Sequence, residues 1–224
     1  MSKVAAIFDL DGTLSYGHIW EGFRRYYANY EKRKMLSMFA FLSTHLALWL
    51  LMKCKLYNKE KCWAKWAEDL NGVFKGLSKE EIQKMSQWVV DEYMLKLLRR
   101  DVVNILDQHK QSGHVVVIVS AAFSEVLEIV GQRLGVPYVI GTKLEIIDGK
   151  YTGKVIKPLC FGEDKAKLLK ELISQSGLEI DLSSSFAYAD SIFDVPLLKL
   201  EGNPVATYPD KDLHQFAERN GWQI

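Results

Sequence analysis

Three short apolar runs, each cut off by a polar residue, constrain this chain more than any other feature. Val4 to Phe8 is apolar without alternation and stops at Asp9, Val115 to Val119 stops at Ser120, and Phe186 to Ala189 stops at Asp190. Unbroken apolar runs of this length fit strands buried on both faces. Helical periodicity separates them: Ser124 to Leu134 spaces Val126, Leu127, Ile129, Val130 and Leu134 along one side, and Glu163 to Ser174 does the same with Leu168, Leu169, Leu172 and Ile173. Buried strands alternating with helices predict an α/β fold around a parallel sheet. One antiparallel excursion is also expected, since Asp148-Gly149 between Lys143 to Ile147 and Lys150 to Ile156 is a favoured two-residue hairpin turn. In open sheets of this kind ligands bind beyond the carboxyl ends of the strands, where Asp9, Asp11, Ser120 and Asp190 fall.

From Tyr16 to Met94 the pattern changes. No β-branched run occurs there, and Phe23, Tyr26, Tyr27 and Tyr30, then Trp63, Trp66, Ala67 and Leu70, then Ile82, Met85, Val89 and Met94 follow helical spacing. A helical insertion over 16–94 is expected, dividing a core made of 1–15 and 95–224. Within it, Met35 to Met52 carries no formal charge, and Lys32, Arg33, Lys34, Lys53 and Lys55 flank it. As a helix it is about 27 Å long, marginal for a bilayer span. A single crossing would place Asp9 and Asp11 on one side and Ser120, Lys165 and Asp190 on the other. Three destinations stay open for 35–52: burial in the insertion, contact with lipid or a greasy substrate at the membrane periphery, or a dimer interface. Lys34, Ser37, Thr44 and His45 fall loosely along one side of this helix, interrupted by Phe41 and Leu48.

Composition narrows the partners. With 29 Lys and Arg against 28 Asp and Glu, the net charge of +1 supplies no overall field for nucleic acid. Cys54, Cys62 and Cys160 show no zinc-ligand spacing, and their odd number disfavours a disulfide framework. The first apolar run is too short for a signal peptide, so a cytoplasmic location is expected, with membrane association through 35–52 as the open variant.

The polar residues at the strand ends carry chemistry. Asp9 and Asp11 crowd two carboxylates just past one strand, and Asp190 and Asp194 add two more at another. Four acids on one rim suggest a hard divalent cation, most economically Mg2+. Lys165 and Ser120 complement them as a positive charge and a hydroxyl for phosphate oxygens. Each has a plainer alternative: Ser120 suits a helix N-cap, Lys165 a solvated helix position beside Lys167 and Lys170, and Asp194, ahead of Val195-Pro196, a turn.

Asp9-Leu10-Asp11-Gly12-Thr13, Ser120 after its apolar run, Gly162-Glu163-Asp164-Lys165-Ala166 and Asp190-Ser191-Ile192-Phe193-Asp194 resemble, in order, the four motifs of the haloacid dehalogenase superfamily, in particular its phosphoserine-phosphatase-like branch. The resemblance implies a three-layer, Rossmann-like core with a helical cap inserted between the first two motifs, and a phosphatase acting on a phosphorylated small molecule. It implies Asp9 as nucleophile and Asp11 as the acid and base. Mg2+ would be held by Asp9, the Asp11 carbonyl and Asp190, with Asp194 ordering the metal's waters or Lys165. Ser120, Lys165 and the backbone N–H groups around Leu10 and Ala121 would bind the phosphoryl group, and Thr13 would support the loop. Two departures weigh against phosphoserine itself: His18 stands where that branch carries a substrate-binding glutamate, and Phe193 where an Asn is usual. Ser120 is also followed by Ala121-Ala122-Phe123, with a bulky fourth position. Candidate cap contacts are His18, Glu21, Arg24 and Arg25. A small metabolite phosphate is the leading expectation, and a lysophospholipid or other lipid-linked phosphate that uses 35–52 is the alternative. A binding module without turnover is disfavoured by the presence of both Asp9 and Asp11.

Overall fold

The computed structural model describes residues 2–224. Six strands form one sheet: β1 (Ala5–Phe8), β2 (Val115–Phe123), β3 (Tyr138–Ile147), β4 (Lys150–Ile156), β5 (Phe186–Ala189) and β6 (Asn203–Ala206), in the order β4-β3-β2-β1-β5-β6. All neighbours are parallel except β3 and β4, which form the expected hairpin with Ile147 opposite Lys150. Asp148 and Gly149 both take positive φ, 50° and 75°, the conformation a two-residue turn of matching twist requires. Strand order reverses at β1, which has β2 on one side and β5 on the other. The crevice beyond β1 is therefore the sheet's switch point, where a ligand fits between diverging connections.

Period-two alternation along β1 sorts the core into two layers. Ala6 and Phe8, with Val116 and Ile118 of β2, face helices α5 (Arg100–Gln111) and α6 (Ser124–Leu134). Ala5 and Ile7, with Val115, Val117 and Val119, face α7 (Glu163–Ser176), α8 (Val195–Leu198) and α9 (Lys211–Asn220). The sequence expectations for β1, β5, α6 and the hairpin agree to within a residue or so. β2 departs from expectation: pairing with β3 resumes at Phe123 after an irregularity beyond Val119, so strand conformation carries through Ser120.

Between Tyr16 and Leu97 the named elements are helical: α1 (Ile19–Tyr30), α2 (Met35–Lys53), α3 (Lys59–Asp69) and α4 (Lys79–Trp88), the last continuing through a π turn at Val89–Tyr93 and a 3-10 turn at Met94–Leu97. Ser78 caps α4 through a reciprocal pair with Glu81, its hydroxyl accepting from the Glu81 N–H and the Glu81 carboxylate accepting from the Ser78 N–H. The chain leaves and re-enters the sheet region side by side. Tyr16 N–H donates to Leu97 O at 3.1 Å, and Arg99 N–H to Leu14 O at 2.8 Å. One apolar core runs continuously from these helices into the α5 and α6 layer, joined by Phe23, Phe74 and Phe123, whose rings lie 4.7–5.1 Å apart.

The apolar segment α2 is not buried as a whole. Only Met38, Phe41 and His45 are inside, one narrow stripe at helical spacing, while Leu36, Phe39, Leu46 and Leu50 are exposed. The loose polar side is not formed either, because His45 points inward beside Asp69, and Ser37 and Thr44 are exposed.

Candidate active site

Asp9 is the first residue beyond β1, and its N–H donates to Tyr188 O of β5 at 3.0 Å, so the strand's own ladder holds it. Ser120 lies on the adjoining strand, two residues past Ile118, the partner of Phe8. Lys165 reaches the rim from the first turn of α7. It is 4% exposed, and its Nζ lies 2.7 Å from Asp9 Oδ1 and 2.6 Å from Asp194 Oδ1. That burial removes the solvated-helix reading. Burial alone would depress the lysine's pKa, but the Asp194 and Asp9 carboxylates outweigh it and hold the ammonium charged.

Asp190 presses against the loop that follows Asp9. Thr13 Oγ1 donates to its Oδ1 at 3.2 Å, and a Cβ on Gly12 would stand 2.2 Å from its Oδ2. Gly12 also has φ +91°, a conformation open to glycine. The loop closes on itself through Gly12 N–H to Ser15 O at 2.7 Å and Ser15 N–H to Leu10 O at 2.9 Å. Oxygens of Asp9, Asp190 and Asp194 all lie within 4.8 Å of one another. Burial, then the charges of Asp9 and Asp194, push Asp190 up to about 8. Burial raises Asp194 to about 6 despite the nearby Lys165. Three close carboxylates with one ammonium among them leave negative charge uncompensated. This set of hard oxygen donors fits a divalent cation.

Asp11 turns toward the helical segment. Both of its carboxylate oxygens accept from Ile19 N–H, at 3.2 and 3.3 Å, so it caps α1 in place of His18, whose side chain makes no cap. Burial first, and the Asp9 charge second, raise Asp11 to about 7, with the Ile19 N–H opposing. Ser120 does not cap α6. The residue in that position is Phe123, and the Ser120 hydroxyl instead accepts from Ala122 N–H at 3.2 Å, while Ala121 O accepts from Thr142 Oγ1 at 2.9 Å.

The structure thus gathers two bonded groups, Asp9–Lys165–Asp194 and Thr13–Asp190, with the three acids within 4.8 Å of one another, and Asp11 and Ser120 at their edges. Among the cap candidates, His18 immediately precedes Ile19 and is exposed. Glu21 is held by Arg25 at 2.8 Å and Arg24 at 3.5 Å along the surface of α1. Two further residues brace the rim without any motif in the sequence to mark them. Arg99 donates from Nε to Gly12 O at 3.3 Å and stacks 3.7 Å from the Tyr208 ring centroid. Lys59, at the start of α3, bonds Asp212 and lies 5.5 Å over Phe193. Each bridges segments far apart in the chain and has no local motif.

The sequence model of haloacid dehalogenase-like hydrolases matches residues 6–199. The chain belongs to this family. A Mycobacterium tuberculosis protein named phosphoserine phosphatase SerB1 is 30% identical over 227 residues, covering 98% of this chain and 70% of that protein. A Neisseria meningitidis histidinol-phosphatase is 26% identical over 243 residues, covering 99% and 98%. A Streptomyces azureus protein named for inhibition of morphological differentiation is 31% identical over 156 residues, and the match spans 55% of its length. The chain thus aligns with only about half of some curated relatives. Among solved structures, a Bordetella pertussis protein of unknown function superposes with a TM-score of 0.83 at 24% identity, covering 100% of this chain and 98% of that one. A phosphoserine phosphatase holding an analogue of its phospho-aspartyl intermediate gives 0.63 at 21%, covering 96% and 91%. Both likenesses concern the fold.

Proposed function

We propose that the protein is a Mg2+-dependent phosphomonoesterase that passes the phosphoryl group through Asp9. The observation that carries this reading is the buried Lys165 set between Asp9 and Asp194, with Asp190 against the same loop. A phosphate arriving beyond β1 meets an ammonium already desolvated and oriented, which costs no reorganisation as charge develops.

An Asp9 carboxylate oxygen attacks phosphorus, forming an acyl-phosphate O–P bond as the bond to the leaving oxygen breaks. Asp11, protonated below about pH 7, gives its proton to that oxygen, releasing an alcohol. Water then attacks phosphorus, Asp11 takes the water's proton, and Asp9 is restored as inorganic phosphate leaves. Lys165 and the Ser120 hydroxyl hold the equatorial oxygens, assisted by backbone N–H groups near Leu10 and Ala121. Asp9, Asp190 and the Asp11 carbonyl would hold Mg2+, with Asp194 fixing Lys165; when bound, the cation neutralises charge on the phosphoryl oxygens. We assign 16–94 as a cap over a core of 1–15 and 95–224. Its α1 delivers the Ile19 N–H that orients Asp11.

A small phosphorylated metabolite is the substrate class we favour. Relatives bear phosphoserine- and histidinol-phosphatase names, and the Glu21 to Arg25 pairing leaves the amine-binding role without an obvious residue. The exposed face of α2 favours a second reading, a lipid-linked phosphate. Phosphate release from an aryl phosphate, with and without Mg2+, tests the activity, and a panel of amino-alcohol, sugar and lysophospholipid phosphates tests the class. Wild-type inactivity with Mg2+, or full activity in Asp9→Asn, would remove the proposal.

A further inference from the structure

Within the helical stretch Lys32–Lys53 the 18-residue apolar window has a mean hydropathy of 1.7, is 17% buried, and is long and apolar enough to cross a membrane. Its inward stripe is Met38, Phe41 and His45. On the opposite side Leu36, Phe39, Leu46 and Leu50 are 76%, 67%, 57% and 51% exposed, with Leu51 and Trp49 on the margins. Continuous exposed apolar surface of this kind marks a contact site.

Charge identifies the occupant. Positions 31–61 hold seven Lys and Arg against two Glu, in a chain whose net charge is only +1. The cations sit at both ends of α2, with Lys32, Arg33 and Lys34 before it and Lys53 and Lys55 after it, and Lys53 lies 5.3 Å over the Trp49 ring. An apolar face with basic ends and a Trp at the boundary is the arrangement of a helix lying in a membrane interface. A second copy of α2 satisfies the apolar face but not the charge, because side-by-side pairing in either direction sets one basic end against another.

We propose that this face of α2 docks on an anionic phospholipid bilayer and lies on it without crossing. A crossing is excluded by two sets of contacts. Phe41 and His45 pack on Trp66 of α3 at 4.7 and 5.1 Å, and Asp9 and Lys165, which a span would separate, are 2.7 Å apart. The start of α3, which follows α2 after a short turn, lies beside the site, since Lys59 reaches the Asp212 carboxylate and the Phe193 ring. The docking surface does not depend on the phosphatase reading.

Co-sedimentation of the full chain with phosphatidylcholine vesicles, with and without phosphatidylglycerol, tests this directly. The protein should partition to the anionic vesicles, and less so at high salt. Lys32→Gln and Arg33→Gln should each cost about fivefold in partitioning. Leu46→Glu with Leu50→Glu should abolish it, while circular dichroism and hydrolysis of a soluble aryl phosphate stay unchanged. No binding, or equal binding to neutral and anionic vesicles, overturns the proposal. So does a dimer in sedimentation velocity that the double variant dissolves while vesicle binding is absent.

Discussion

Gly12 shows how closely single residues are constrained at this rim. A methyl there would stand 2.2 Å from the Asp190 carboxylate at a φ of +91°, so Gly12→Ala must displace either the loop or the acid. We expect a loss of about 2 kcal/mol in denaturant unfolding and a weakened Mg2+ dependence of phosphate release. Lys165 is the other fixed point. Lys165→Met leaves Asp9 and Asp194 buried without their cation, a change that costs about 3 kcal/mol where the carboxylates stay ionised. The cost should shrink at pH 5, as protonation relieves the repulsion, and chemical denaturation at pH 5 and pH 8 would show it. Asp9, Asp190 and Lys165 are legible in the sequence, because crowded acids beside a strand end call for a cation. Arg99 and Lys59 were not legible, since their partners Gly12 and Asp212 lie far along the chain and folding alone brings them together.

Elements position these residues, and the Asp11 to Ile19 contact joins two of them. The carboxylate just past β1 caps α1, the first helix of the chain, so the proposed acid is oriented only while α1 stays docked. With its pKa raised to about 7 by burial and by Asp9, Asp11 carries the proton that its proposed role needs below that pH and loses it above. Hydrolysis of an alkyl phosphate, which needs the proton, should therefore fall as pH rises past about 7. An aryl phosphate with a good leaving group should fall less, and equal pH profiles for the two would contradict the assignment. Parallel strands were readable because burial on both faces leaves no polar position in β1 or β5, and Asp148-Gly149 fixed the hairpin. The continuation of β2 beyond Ser120 was hidden by a polar residue within strand backbone. Which face of α2 is buried was unreadable for the opposite reason, since a uniformly apolar run has no polar side to point outward.

At the scale of the whole molecule, charge balance conceals an uneven distribution, with acids concentrated at the sheet rim and bases around α2. Asp190, Asp11 and Asp194 bind protons more tightly when folded, at about 8, 7 and 6 against an ordinary 3.8. Without metal, their contribution to stability is fully present below about pH 4 and is lost as pH rises through 6 to 8. Mg2+ competes with those protons, so saturating Mg2+ should raise Tm more at pH 8 than at pH 6, and Asp190→Asn should abolish most of the difference. Equal shifts at both pH values would argue against the proposed cation site. Asp9 is the proposed atom donor to phosphorus, on which every later step depends. Acid-quenched Asp11→Asn, incubated with an aryl phosphate and Mg2+, should carry one phosphoryl group on the peptide containing Asp9, because the group can be transferred while the water that removes it is not activated. Continued turnover by Asp9→Asn, or a phosphoryl group found on a different residue, would contradict it.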